Sequence, residues 1–334
     1  MNKNILKEMC DIPSPSNVED KLIDYLANKK FKNFSSEVSR ANSISFYSKT
    51  NKSKTVLLDA HIDQVHLRVL RIHKDGFIVV KSVGFDIETV IGNTVTHMIS
   101  GKTGLVGSLP PHLNIRDQPN FGRVGFVDFG LTKKQCDKIF TPGDIVLLEQ
   151  NFNKVGKNRV ISSGLDNKAG GYVLLSLIDY FSKPKNFKKL KYNLIICFSS
   201  REEVGLGSFP QNFNKKIDTI IVMDSSPSTD QVGISNNLIG DISLGKGPVI
   251  TRNYEDNRKL GDSLMALAKN SKINHQVVFS SGYGSSNSNT YARLFDSVVQ
   301  YLGVPIRYIH SPYEMIDMRD TVSAYNLLKK FLEL

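Results

Sequence analysis

Cysteine is scarce in this chain: three in 334 residues, Cys10, Cys136 and Cys197, far apart and odd in number. That argues against a disulfide framework and against a cysteine-rich zinc site, and it suits a reducing compartment. Cys197 lies within an apolar run and reads as core. Long apolar runs are missing too. No segment approaches the roughly 18 to 20 residues that a membrane span needs, and Met1 to Cys10 is charged and polar where a secretory leader would carry its apolar core. A cytoplasmic protein with no membrane partner is expected. No internal repeat or low-complexity linker is present.

What is there is ordinary for a soluble globular protein: 40% hydrophobic, 9% aromatic and 22% charged residues. The length allows one large domain or two of common size. The net charge of +11 raises the question of an acidic or nucleic-acid partner. The lysines are mostly dispersed, however, and the densest run, Lys183 to Lys191, reads as an exposed helix end and loop before a strand. No nucleic-acid partner is expected.

Val18, Leu22, Ile23 and Leu26 recur at helical spacing after a Pro-Ser-Pro-Ser start signal, which predicts a helix over 17–29. Thr55 to Leu58 reads as a buried strand that runs into His61 and Asp63. From about His66 to Ser162 the texture becomes short β-favouring pieces such as 77–81, 123–126 and 144–148, broken by Gly and Pro. Helical character then returns from Leu165 to Phe181, followed by strands at 192–199 and 219–223 and a last helix near 321–332. Alternating strands and helices on both sides of a β-rich stretch predict a mixed-sheet α/β/α domain (1–65 and 163–334) interrupted by a small β-barrel-like domain (66–162).

Carboxylates and imidazoles recur at the expected strand ends: His61 with Asp63, Asp166, Glu202 with Glu203, Asp224, and His310. Ligands collect at the carboxyl ends of strands in open α/β sheets. Singly, His61 reads sooner as a satisfied core histidine, Asp166 as a helix cap, and the two glutamates as a solvated pair. Together, in apolar surroundings, they need a neutralising charge, and a pair of divalent ions would supply it.

The segments Ala60-His61-Ile62-Asp63, Leu165-Asp166-Asn167-Lys168-Ala169-Gly170, Arg201-Glu202-Glu203-Val204-Gly205-Leu206, Met223-Asp224-Ser225-Ser226-Pro227 and Arg307-Tyr308-Ile309-His310-Ser311-Pro312 follow in order. This series resembles the tetrahedral aminopeptidases, the glutamyl and leucyl aminopeptidases of peptidase clan MH. Pro110-Pro111-His112-Leu113 and Thr141-Pro142-Gly143-Asp144 are similar to that family's inserted domain. The resemblance implies a metal-dependent aminopeptidase that hydrolyses N-terminal residues from peptides by two-metal activation of water. It implies two divalent ions per subunit, zinc or alternatively cobalt. Asp166 would bridge them, His61 and Asp224 would complete one set of ligands, and Glu203 and His310 the other. Glu202 would be the general base, and Asp63 would accept the second imidazole N–H of His61. A cis peptide after Asp166 is implied as well, as is a homo-oligomer, either a dimer or a dodecamer, built through the inserted domain and acting on peptide substrates.

The chain departs from that pattern in four places. Gln64 and His66 stand where an acidic residue and a glycine are usual, Asn287 where aspartate is common, Arg201 where glutamine is frequent, and Gly207 to Pro210 replace an Arg-Gly-Ala continuation in which Pro210 should disturb a helix. None removes a ligand or the base, so they bear on specificity. His66, His97 and His112 are candidate lid residues reaching the site, or packing and surface histidines. Competing readings are an amidohydrolase or deacylase on the same centre, since fold and metals do not fix substrate, and a non-catalytic scaffold relative. A glycosidase fits poorly because adjacent glutamates on an extended segment point to opposite faces.

Overall fold

In Thr55–His61 every residue is buried, with Val56, Leu58 and Ala60 in one apolar cluster and Leu57 in another. A strand covered on both faces reads as such a continuous apolar run. The structure is a computed structural model, and it describes residues 1–108, 112, 124–207, 216–235, 240–280 and 286–334.

The strands in chain order are β1 (Phe34–Val38), β2 (Ile44–Ser48), β3 (Thr55–His61), β4 (His66–Ile72), β5 (Ile78–Val83), β6 (Thr94–His97), β7 (Thr103–Val106), β8 (Val124–Asp128), β9 (Ile145–Leu148), β10 (Asn153–Val155), β11 (Arg159–Ser162), β12 (Asn193–Ser199), β13 (Thr219–Pro227), β14 (Val249–Thr251), β15 (Gln276–Val278), β16 (Val298–Arg307) and β17 (Glu314–Asp317). Eleven form a large mixed sheet in the order β1-β2-β12-β3-β13-β16-β17-β11-β10, with β14 on β16 and β15 on β14. Its centre, β12-β3-β13-β16, is parallel, so these strands deliver their carboxyl ends to one edge. The other six close a barrel in the order β4-β5-β8-β7-β6-β9. Leu67, Val69, Ile78 and Val80 fill its interior with Val127, Val146 and Leu148, so Arg68 and Lys81 are left to its outer surface.

The helix Leu165–Ser182 packs on β3 and β13 and against the helix Met318–Leu332 on one face of the sheet. The helix Asn287–Leu294 packs on β13 and β16, and its Tyr291 joins Leu57, Cys197 and Val222 in a second cluster. The expected α/β/α sandwich with a separate barrel is therefore observed. All three cysteines are buried and free, Cys197 among them in the core. The helix expected over 17–29 spans Asp20–Ala27.

Two features differ from the sequence reading. β10 and β11, grouped with the insert by their β-rich texture, instead hydrogen-bond into the large sheet, β11 against β17; short strands state their conformation but not their partner. The helix Lys3–Asp11 was not anticipated. Only Leu6, Met9 and Cys10 form its buried stripe, and that brief helical spacing is masked by polar neighbours.

Candidate metal centre

Parallel pairing carries His61, the last residue of β3, to the sheet edge beside Asp224, which lies on β13 beyond the last β3 pair, Val222 with Asp59. Glu202 and Glu203 follow the end of β12 through Arg201, which adopts a left-handed φ of 61°. His310, φ 59°, follows β16. Asp166 enters from the start of the helix Leu165–Ser182, where it and Asn167 depart from helical φ/ψ and share a cis peptide bond.

These residues converge. His61 Nε2 lies 3.3 Å from Asp166 Oδ1 and 3.3 Å from Asp224 Oδ1. His310 Nε2 lies 3.2 Å from Asp166 Oδ2 and 3.3 Å from Glu203 Oε2. In each group, His61-Asp166-Asp224 and Asp166-Glu203-His310, the potential ligand atoms all lie within 4.8 Å of one another. Asp166 belongs to both, offering one oxygen to each side. Glu202 Oε2 stands 3.9 Å from His61 Nε2 and is in neither group.

Burial would pull His61 down, but the carboxylates of Asp224, Asp166 and Asp63 outweigh it and hold the imidazole well above its ordinary value. The same contest, with Asp166 and Glu203 as the anions, puts His310 at about 10. Burial pushes Glu202 up to about 8 and Glu203 well above the carboxylate range. Burial also opposes ionisation of Asp166, yet His310 and His61 hold it below its ordinary value. Raised imidazoles beside raised glutamates make this a cluster that favours bound positive charge, which a divalent ion would supply in place of protons. Asp166 Oδ1 and Glu203 Oε1 are buried and accept no hydrogen bond. Two nitrogen and three carboxylate donors with orphaned oxygens fit divalent ions of the borderline kind.

A further layer fixes these groups. Asp63 accepts from Glu202 N (3.1 Å), Glu203 N (3.2 Å) and Ser16 Oγ (2.6 Å), and its Oδ1 lies 3.4 Å from His61 Nδ1. It therefore locks the Glu202-Glu203 turn as well as facing the ring. Ser286 Oγ donates to Asp224 Oδ2 at 2.6 Å. Glu314, 1% exposed, accepts from Asp166 N (3.0 Å) and His310 N (2.8 Å), tying together two segments that carry candidate ligands.

The departures take structural places. Gln64 accepts from the buried Lys168 Nζ, whose pKa burial lowers to about 8. Asn287 donates to Asp59 Oδ2 and Ser199 Oγ beneath the site, and Arg201 Nη2 donates to Ala41 O. Pro210 and its expected disturbance of a helix lie outside the described residues, as does the segment 110–113 except His112. Of the lid candidates, His66 is buried against Arg68. His97 is buried between Ser100, Asp144 and the Phe140 ring. His112 is exposed. None of the three lines the cavity over the cluster. That cavity, about 1100 Å³, runs between the sheet edge and the outer face of β4-β5.

The sequence profile for M42 glutamyl aminopeptidase matches residues 42–327. A lysyl aminopeptidase of Pyrococcus furiosus is 28% identical, with 83% of this chain and 81% of that protein covered. Among solved structures, the aminopeptidase APDkam598 of Desulfurococcus kamchatkensis superposes with a TM-score of 0.86 at 25% identity, covering 99% of this chain and 94% of its own. A Pyrococcus horikoshii TET1 peptidase, described as assembling into a tetrahedron or a large octahedral shell, gives 0.81 at 22% identity over 98% of each chain. With the profile spanning nearly all of the sheet and barrel that build the site, the chain belongs to the M42 glutamyl aminopeptidase family and is a metal-dependent aminopeptidase.

Proposed function

We propose that this aminopeptidase holds two divalent ions, zinc or alternatively cobalt, one on His61 and Asp224 and the other on Glu203 and His310, with Asp166 shared. The observation carrying this reading is Asp166 itself, whose two oxygens face His61 and His310 at 3.3 and 3.2 Å. Ions bound there would supply Lewis-acid polarisation of the scissile carbonyl and a more acidic water. Glu202, beside the cluster but outside both ligand groups, takes the proton of the attacking water and returns it to the leaving amine. Asp63 keeps Glu202 in place through its backbone N–H and orients His61.

The division of labour proposed for the chain is a catalytic part, 1–65 and 163–334 with β10 and β11 added to its sheet, and an insert formed by the rest of 66–162 that walls the cavity and contributes to assembly. A homo-oligomer follows from likeness to the assembling TET1 peptidase. A cytoplasmic setting suits the free buried cysteines; among the described residues no helix is long and apolar enough to cross a membrane.

The test is metal analysis of protein reconstituted with zinc or cobalt, beside mass spectrometry of short peptides with free or blocked N-termini. Two ions per chain and stepwise loss of free N-terminal residues are expected. One ion per chain refutes the shared-aspartate reading, and cleavage confined to blocked peptides moves the activity to a deacylase.

A further inference from the structure

The barrel side of the cavity carries two cations that the cluster does not use. Arg68 on β4 and Lys81 on β5 are register partners, and both line the cavity, as do Leu70 and Val83 further along the same strands. Side chains of directly opposed residues leave the same face with Cβ atoms about 5 Å apart, and like charges so placed repel. Among the described residues, no carboxylate lies within 4.0 Å of either cation. Arg68 is nonetheless held firmly, by uncharged acceptors from three segments: His66 Nε2 (3.1 Å), Gly143 O (3.1 Å) and Ser16 O (3.2 Å). His66 stands where the related pattern has glycine, so the side chain that orients Arg68 belongs to this chain's own departure. The carboxylates lining the cavity are otherwise placed: Asp166, Glu203 and Asp224 belong to the cluster, Glu202 stands beside it, and Glu255 sits beside Ser288 and Asn253.

This pair of cations, Arg68 held in place and neither matched by a carboxylate among the described residues, faces the cavity without an anion. Its position indicates which one. A Cβ placed on Gly84 would lie 3.4 Å from Glu203 Oε2, so the end of β5 abuts the cluster. Lys81 is three residues back along the chain from Gly84, roughly 10 Å at strand rise. An extended peptide advances at much the same rise, so its groups two to three residues beyond the scissile bond come level with Lys81. We propose that Arg68 and Lys81 form a subsite for a substrate carboxylate at that distance, either the C-terminal carboxylate of a short peptide or an acidic side chain. This deepens the aminopeptidase reading and rests on it.

The experiment compares kcat/KM for Leu-Gly-Gly against its C-terminal amide, and for Leu-Gly-Glu-amide against Leu-Gly-Gln-amide, in the wild type, Lys81→Gln and Lys81→Glu. Lys81 is exposed on the barrel, so neither change removes core. The wild type should favour the carboxylate member by about tenfold, the scale of one charge-assisted contact, and less so at high salt. Lys81→Gln should shrink that ratio and Lys81→Glu should invert it, with the neutral amides cleaved at wild-type rates. Preference within the first pair alone identifies a terminal carboxylate, and within the second alone a side chain. Equal rates within both wild-type pairs, or a preference that survives Lys81→Glu, overturn the subsite. Failure of the metal-loaded wild type to cleave any of the four strikes the site assignment, and the subsite with it.

Discussion

The two walls of the cavity handle charge in opposite ways. On the sheet side, carboxylates and imidazoles from five segments crowd within ligand distance of one another, and backbone and side-chain donors hold them there. On the barrel side, two cations sit opposite each other on a strand pair with no carboxylate within 4.0 Å among the described residues. The sheet wall has too much negative charge to stay buried without cations, and the barrel wall has positive charge with no anion. One imbalance calls for a resident ion and the other for a passing ligand. Substitutions on the sheet wall should therefore change turnover for every peptide alike, whereas those on the barrel wall should change the ranking among peptides.

Glu202→Gln gives the largest expected effect. Removing the proposed proton acceptor should lower kcat by roughly 10² to 10⁴, equally for free and amidated peptides, while the metal content stays at the wild-type level because Glu202 is in neither candidate ligand group. A variant that keeps its kcat, or that loses metal along with it, would collapse the distinction between ligand and base at the adjacent pair. Next is Ser286→Ala, which frees Asp224 Oδ2 from its 2.6 Å donor. Loss of such an outer partner typically weakens metal binding by about 10- to 100-fold, and titration of apo protein with zinc should show this with the peptide preference intact. An altered preference would mean that Ser286 reaches substrate instead.

Part of the sheet wall was legible in the sequence because two of the candidate ligands follow largely apolar strand residues: His61 after Thr55–Ala60, Asp224 after Thr219–Met223. What holds those ligands was not. Glu314 serves backbone N–H groups, one of them on Asp166, 148 residues away, and nothing local in the sequence marks a carboxylate for that task. Ser286 and Ser16 are small polar residues in polar stretches and carry no periodic signal. The Arg68-Lys81 pair was invisible for a related reason: its meaning lies in strand register, which a sequence of short β pieces leaves open. His66 and Gln64 stood out as departures, but only their contacts with Arg68 and Lys168 give them work.

Glu19 tests whether the contrast covers every buried charge near the site. It is fully buried, accepts from Asn17 N at 2.7 Å and Asn42 Nδ2 at 3.4 Å, and lies in neither ligand group nor the cavity lining. With neither ion nor ligand to compensate it, a proton is the remaining option, and burial, reinforced by the Asp63 charge, pushes its pKa from 4.5 to about 7. A carboxyl raised on folding binds its proton more tightly in the native state. Its stabilising contribution is therefore complete below the unfolded value near 4.5 and is lost as pH rises through about 7. The loss is on the order of 1 to 3 kcal/mol. Glu19→Gln stays neutral throughout, so its thermal stability relative to the wild type should be higher at pH 8 than at pH 5, with zinc held at saturation in both. An offset that is the same at both pH values would mean that Glu19 is ionised at pH 5 already, and that the hydrogen bonds from Asn17 and Asn42 alone sustain a buried carboxylate.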